Sequence, residues 1–317
     1  MTTSGSVNFS IDRDEIIQEV LELNGVIGGP LETPSAHQIV TCSRSMNLII
    51  KQWQGDHDFA PGLKMWSRKR GTLFLQKDQA SYLLGPTGDN ATASYKQTTI
   101  RIAAAALATT LEVVSTTGMT AADYIGIELT SGTVYWTTIS SITDSDTLVI
   151  PSPGLSSAAA VGKYVWSYTT KLRRPLKILT GLLRDQNSQD TPINIDRDLY
   201  WYESLPDKTV VSDPANAYYE SQLDNGMIYF DCEPIDVTKL VKIVYRSPLE
   251  DFDALTDTPD LPQHWYRPFC LQVAVDTSPK FGKQVSQDLK ERLIEALAIA
   301  KNADPENTTD YFQPDLD

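Results

Sequence analysis

The chain has 317 residues, 41% hydrophobic and 21% charged, enough to bury at least one sizeable core and too apolar for wholesale disorder. Its formal charge is −14, with 41 acidic against 27 basic residues, which argues against gripping nucleic acid through the surface as a whole. No apolar run approaches the roughly 18 residues that span a bilayer, and residues 1–10 have neither a basic nor an apolar leader region, so a soluble protein made in the cytosol is expected, with no membrane partner.

The first expected helix covers about residues 11–23. Ser10 is a good N-cap, and Asp12, Asp14 and Glu15 put carboxylates in the first turns, where the helix dipole favours them. Ile16, Val20 and Leu23, flanked by Ile17 and Leu21, form an apolar stripe at helical spacing, and Asn24-Gly25 ends it. A second helix opens at Thr33-Pro34 and carries Ile39, Cys42, Met46, Ile49, Ile50 and Trp53 along one side to Gly55. Two short-linked amphipathic helices cannot bury both stripes against each other, so another layer is required.

The middle of the chain reads as strands. Residues 72–75 and 81–84 bracket a polar turn at Lys77-Asp78-Gln79, and 124–129 and 134–139 flank Thr130-Ser131-Gly132-Thr133 as a hairpin. Residues 218–223 and 227–231 flank Asp224-Asn225-Gly226, whose Asn-Gly is a strong hairpin cue, and 240–245 form a last strand rich in β-branched residues. Residues 98–170 are rich in Ala, Ser, Thr and Val and nearly free of bases between Arg101 and Lys163, which suggests a separate small β module. Two basic clusters lie beside strands: Arg68-Lys69-Arg70, and Lys171 with Arg173-Arg174. Each is read as a solvated face or an intersubunit pairing site rather than a nucleic-acid patch.

Helical patterning returns near the end. Asp260, Leu261 and Pro262 start a segment carrying Trp265, Phe269 and Val273, with Pro268 placed to kink it. Ser278-Pro279 is expected to cap a longer helix through about Lys301, with a stripe of Val285, Leu289, Leu293, Ala296 or Leu297, and Ala300. Residues 302–317 then carry Asp304, Glu306, Asp310, Asp315 and Asp317 and no base, with Tyr311 and Phe312 at their centre and Pro305 and Pro314 breaking any helix. Such a segment is either a loose end or an arm that orders on a neighbouring subunit.

The expected fold class is α+β, with terminal helices forming one helical bundle and a large antiparallel β region inserted between them. The boundaries are 1–70 plus 255–303 for the bundle, 71–97 plus 171–254 for a β domain, 98–170 for the inserted module and 304–317 for the acidic arm.

Chemistry-bearing residues are sparse. Cys42, Cys232 and Cys270 lack zinc or redox spacing, and each is expected in a helix or strand as a buried thiol. Asp56-His57-Asp58 reads as a loop rather than a metal site, and His37 and His264 as packing or surface residues. Among 41 acidic residues, pairs such as Asp196 and Asp198, or Asp251 and Asp253, cannot be singled out by type. Tyr200-Trp201-Tyr202 and Tyr218-Tyr219 are expected in alternating strands with half of them facing a core. No catalytic, cofactor-binding or metal-binding residue is assigned, and a non-enzymatic protein without a cofactor is expected.

Three stretches resemble the head-to-tail adaptors of short-tailed bacteriophages, the tail tubular protein A or tail accessory factor family. They are the opening hairpin, with Leu21-x-x-x-Gly25, Glu32-Thr33-Pro34-Ser35 and Met46-Asn47-Leu48 leading to Trp53; Leu63-x-x-Trp66-Ser67 followed by Gly71-Thr72-Leu73-Phe74-Leu75; and Leu261-Pro262-Gln263-His264-Trp265-Tyr266. Together they cover well under half of the chain, and they are patterning rather than catalytic signatures. The resemblance implies a structural virion protein of the neck, made in the host cytoplasm: a homo-oligomeric, dodecameric ring joining the portal protein to the tail nozzle. DNA would pass through it during ejection without specific binding. On this analogy residues 302–317 are the portal-facing arm, with Tyr311, Phe312 and Pro314 as candidate docking residues, and Arg68, Lys69 and Arg70 are a candidate intersubunit cluster. The long β middle departs from smaller family members. An alternative is therefore a tail subunit whose β module anchors tail fibres or binds host-surface polysaccharide, and a carbohydrate-active enzyme comes third.

Overall fold

The computed structural model describes residues 5–55 and 66–303. They form a mixed α+β protein that divides into two compact units, one from Met1–Ser67 with Leu249–Asp317 and the other Arg68–Pro248. The candidate arm residues Tyr311, Phe312 and Pro314, and the triplet Asp56-His57-Asp58, lie outside the described residues.

In the first unit, α1 (Arg13–Leu23) starts two residues later than expected because Asp12, not Ser10, is its N-cap. The Glu15 N–H donates to Asp12 Oδ1 at 2.9 Å and the Asp12 N–H to Glu15 Oε2 at 3.0 Å, a reciprocal box that a serine at position 10 cannot form. The same logic moves the start of α2 (Ala36–Gly55), where Ser35 and Gln38 exchange the paired bonds that Thr33 was expected to supply. Three further helices follow in the described residues: α3 (Leu199–Glu203) in the second unit, then α4 (Tyr266–Thr277) and α5 (Gln287–Ala303) in the first. Ser278-Pro279 does not cap α5. It opens a single 3-10 turn that ends on left-handed Gly282, and Ser286 Oγ accepts the Leu289 N–H at the true start of the helix. Pro268 falls in the first turn of α4, where a missing N–H costs no helical bond.

The stripes meet in one cluster. Ile16, Val20 and Leu21 of α1, Cys42, Met46, Ile50 and Trp53 of α2, Trp265, Phe269 and Val273 around α4, and Leu289, Leu293, Ala296 and Ala300 of α5 are buried together. Leu23, Val285 and Leu297 sit at its margin. Trp53 meets both Trp265 and Phe269 edge-on at 5.7 Å, contacts worth about 0.5–1.5 kcal/mol each beyond the area they bury. Buried polar bonds join the two ends of the chain as well. Asn24 Nδ2 donates to Thr277 Oγ1 at 3.0 Å, and Ser278 Oγ donates to Asn24 Oδ1 at 2.6 Å. The Asn47 amide likewise both donates to and accepts from the Phe252 backbone.

The second unit contains seventeen strands among the described residues. A five-stranded antiparallel sheet runs in the order β12 (Asp190–Ile193), β11 (Lys177–Arg184), β17 (Leu240–Arg246), β1 (Arg68–Phe74), β3 (Ala91–Thr92). β2 (Ser81–Leu84) does not return on β1. It pairs with β15 (Gly226–Phe230), which pairs with β14 (Ala217–Glu220). β13 (Val211–Ser212) and β16 (Glu233–Pro234) are parallel, the one departure from the expected antiparallel pattern among the named strands. Leu73, Val241, Ile243, Tyr245, Ile228 and Phe230 share a core.

Within residues 98–170 and their borders, β4 (Lys96–Thr99), β10 (Tyr164–Tyr168), β6 (Tyr124–Glu128) and β7 (Val134–Thr138) make a four-stranded sheet, and β6 and β7 form the hairpin expected around Gly132. β5 (Thr110–Glu112), β9 (Thr147–Val149) and β8 (Ser141–Ile142) make a second small sheet. Leu111, Ile125, Ile127, Leu148 and Val165 are buried between them. The close strand approach needs Gly126, where an added Cβ would lie 2.6 Å from the Trp136 ring. A further aromatic cluster ties this region to β1: Phe74 lies 5.1 Å from Trp136 and stacks on Tyr168 at 6.0 Å.

The Asn-Gly cue marks a hairpin that forms, but not its turn. Pairing of β14 with β15 ends at Glu220 with Met227, leaving a six-residue loop with Leu223 90% exposed. Asn225 Nδ2 donates instead to Thr87 Oγ1 at 2.8 Å, and a methyl on Gly226 would fall on the Tyr219 hydroxyl. No helix among the described residues is long and apolar enough to cross a membrane.

Candidate interaction surfaces

Strand alternation divides the first basic cluster. Arg68 and Arg70 lie on one face of β1 and Lys69 on the other, where the register carries it beside Tyr245. The face with Arg68 and Arg70 is the one turned away from the Leu73–Val241–Ile243 core. Arg68 pairs in register with Arg246, and Arg246 with Lys177 of β11. Arg70 lies across from Val244, Lys242 across from Leu182, and Arg184 across from Leu240. Arg70, Lys242 and Arg184 are therefore diagonal neighbours on three adjacent strands, a slanted cationic row in a protein of opposite net charge.

These side chains line a cavity of about 530 Å³ with Thr72, Tyr95 and Thr180. Lys242 Nζ donates to Thr72 Oγ1 and Tyr95 Oη, both at 2.9 Å, and lies 4.4 Å from the Tyr95 ring centroid. Burial, reinforced by the Arg184 charge, pushes the Lys242 ammonium down to about 8, while Asp190 opposes the shift. Arg184 is gripped by Asp190 through two bonds of 2.7 Å, which holds the Asp190 carboxyl below its usual range. Arg70 is exposed. Three cations against one carboxylate leave the site net positive.

The second basic cluster is engaged within its own unit. Lys171 lies 5.3 Å from the Tyr124 ring, and Arg174 Nη1 donates to Ser221 Oγ at 2.7 Å and Gln222 O at 3.0 Å.

The aromatic run Tyr200-Trp201-Tyr202 is not in a strand. Asp198 Oδ1 accepts the Trp201 N–H at 2.8 Å and nucleates α3, in which no residue is buried. Tyr200 is 84% exposed, and Leu199, Val210 and Val211 are also exposed. Tyr202 packs on Tyr229 at 4.7 Å, Tyr218 stacks on Tyr229 at 5.7 Å, and Lys208 lies 4.9 Å from the Tyr202 ring.

The first unit has a groove of about 800 Å³ whose lining includes Glu15, Glu19, Glu22, Tyr266, Arg267 and Arg292. With Asp12 and Asp14, five carboxylates face two guanidinium groups there. Asp198 caps α3, and Asp251 pairs with Lys51 at 2.6 Å. Cys42 and Cys270 lie in helices, and burial pushes each thiol up to about 12. Cys232 is buried too, but in a bend before β16 rather than in a strand. His37 is exposed near the start of α2, and the His264 ring lies 6.3 Å from Trp265. Among the described residues no group of three or more His, Cys, Asp or Glu is placed to hold a metal ion.

A search with family models finds no match to this chain, and comparison with the curated proteins finds none either.

Proposed function

We propose that the chain is a structural, non-enzymatic virion protein: a ring-forming adaptor that connects the portal to the tail nozzle of a short-tailed bacteriophage and forms part of its DNA conduit. The observation that carries the reading is the single apolar core shared by helices from both ends of the chain, with the β region between them in sequence. We read α1, α2, α4 and α5 as one helical bundle, the architecture that the resemblance implies. The acidic segment 304–317, with Tyr311, Phe312 and Pro314, is assigned to the portal. Arg68, Lys69 and Arg70 are assigned to the contact between subunits, and twelve copies close the ring. An acidic subunit suits a conduit, since like charge on the wall lowers phosphate affinity.

Electron microscopy of the purified protein mixed with portal protein tests this reading. Closed rings seated on the portal are expected, and persistent monomers would contradict it. Deleting residues 311–317 should weaken portal attachment while leaving the far-ultraviolet circular dichroism unchanged.

The exposed aromatic surface around α3 favours a second reading, a subunit that anchors fibres or stacks on host polysaccharide. A glycan array separates the two: specific binding lost in Tyr200→Ala supports the second.

A further inference from the structure

The slanted row on the five-stranded sheet and the acidic edge of α1 are each unsuited to meet their own kind. A second copy laid face to face on Arg70, Lys242 and Arg184 would oppose cation to cation, and two α1 faces would oppose carboxylate to carboxylate. Either symmetric pairing is repulsive. The two surfaces do suit each other, and joining unlike patches gives a head-to-tail contact, the kind that closes rings.

Resting on the ring reading above, we propose that the row Arg70–Lys242–Arg184 is one half of the contact between subunits and that Glu19 and Glu22 on α1 of a second copy occupy it. The spacing fits. Diagonal neighbours on adjacent strands stand about 7–8 Å apart, and glutamates three positions apart on a helix have Cβ atoms about 5–6 Å apart. Long side chains on both sides absorb the difference. Glu19 is exposed and Glu22 half-buried on the rim of the acidic groove, and Arg70 is exposed on the sheet. Lys242 reaches the cavity with only the neutral oxygens of Thr72 and Tyr95 bonded to its ammonium. The groups facing it are Arg70 from β1, Arg184 from β11, Asp190 from β12 and Tyr95 just before β4, so an incoming carboxylate meets a net positive site. A carboxylate-bearing protein surface is favoured over a nucleic-acid backbone because a duplex would have to approach a chain of charge −14.

The full-length protein is tested without substitution by zero-length carbodiimide coupling, which joins an amine to a carboxylate in contact with it, with loss of water. In assemblies made from isotopically light and heavy copies, mass spectrometry should find Lys242 joined to Glu19 or Glu22 of the other copy. Assembled rings that give no such link would overturn the proposal while leaving the ring reading standing. A wild-type chain that never assembles, alone or with portal, would remove both.

Charge reversal gives the second arm. Arg70→Glu in one chain, and Glu19→Lys with Glu22→Lys in another, should each weaken self-association by roughly tenfold or more at low salt. Mixing the two variants leaves every second contact as in the wild type and sets the introduced glutamate against the introduced lysines in the rest, so association should rise above that of either variant alone. If Arg70→Glu leaves assembly intact but abolishes retention of a short DNA duplex, the row is a phosphate-binding surface and the proposal is wrong.

Discussion

The two units solve the burial problem differently. The helical unit draws one core from segments at opposite ends of the chain, so every helix stripe depends on the others. The β unit divides its interior among three clusters, two of them fed by one region each and the third joining Phe74 of β1 and Leu240 of β17 to Trp166 and Tyr168 of β10. Damage should therefore spread through the first unit and fade with distance in the second. The difference also bears on function, since a helical unit closed by both ends of the chain leaves the β unit free to carry the cationic row and the aromatic surface.

The largest effect is expected at Trp265, fully buried against Trp53 in the helical core. Trp265→Ala should cost about 3–5 kcal/mol in urea unfolding followed by helical circular dichroism, and should destabilise all four helices together. The counterpart in the β unit is Gly126→Ala, which drives a methyl toward the Trp136 ring. Overpacking of this kind costs about 1–3 kcal/mol, and amide exchange should show the loss largest in β6, β7 and β10, reaching β1 through the contact of Trp136 with Phe74 and sparing β14 and β15. If exchange quickens equally throughout the β unit, its clusters are one cooperative body and the comparison fails.

Asn24→Ala removes the buried bonds to Thr277 and Ser278. A loss of about 1–3 kcal/mol is expected, read as a lower urea midpoint for the helical unit alone. Asp12→Ala opens the capping box of α1 and should cost about 1 kcal/mol, with Asp12→Ser restoring most of it.

The smallest effect concerns Lys242, held down to about 8 from its ordinary 10.5. The unfolded chain keeps that proton up to the ordinary value, while the folded chain releases it near 8. Between these values the unfolded state binds more protons, so this residue's contribution to stability rises with pH across that window. Lys242→Met should flatten the rise, measured as a smaller gain in urea midpoint between the two ends of the window. A steeper gain in the variant would contradict the sign.

The helices were legible because an apolar stripe repeating every three to four residues matches the face of a helix and clashes with the two-residue alternation of a strand. Their starts were not, because Ser10, Thr33 and Ser278 satisfy a single-residue rule. The caps that form, Asp12 with Glu15 and Ser35 with Gln38, depend on a partner three positions on. The hairpin at Gly132 was legible for similar local reasons. The hairpin around Asn225-Gly226 was legible too, but its six-residue loop was not, since Asn225 bonds Thr87, which is remote in sequence. Asp198 ahead of Leu199 offered a helix signal for the aromatic run, masked by its β-prone tyrosines and tryptophan. The cationic row could not be read at all. Positions 70, 184 and 242 become neighbours only through the pairing of β1, β17 and β11, although a lysine inside an otherwise apolar strand was a visible oddity.

Native-state amide exchange on Trp265→Ala, resolved by mass spectrometry of the intact chain, tests the shared helical core most directly. The account requires α1 and α2 to lose protection together with α4 and α5, while β1, β11 and β17 keep theirs. If α1 and α2 stay protected as α4 and α5 open, the two ends of the chain fold independently, and the adaptor reading loses the observation on which it stands.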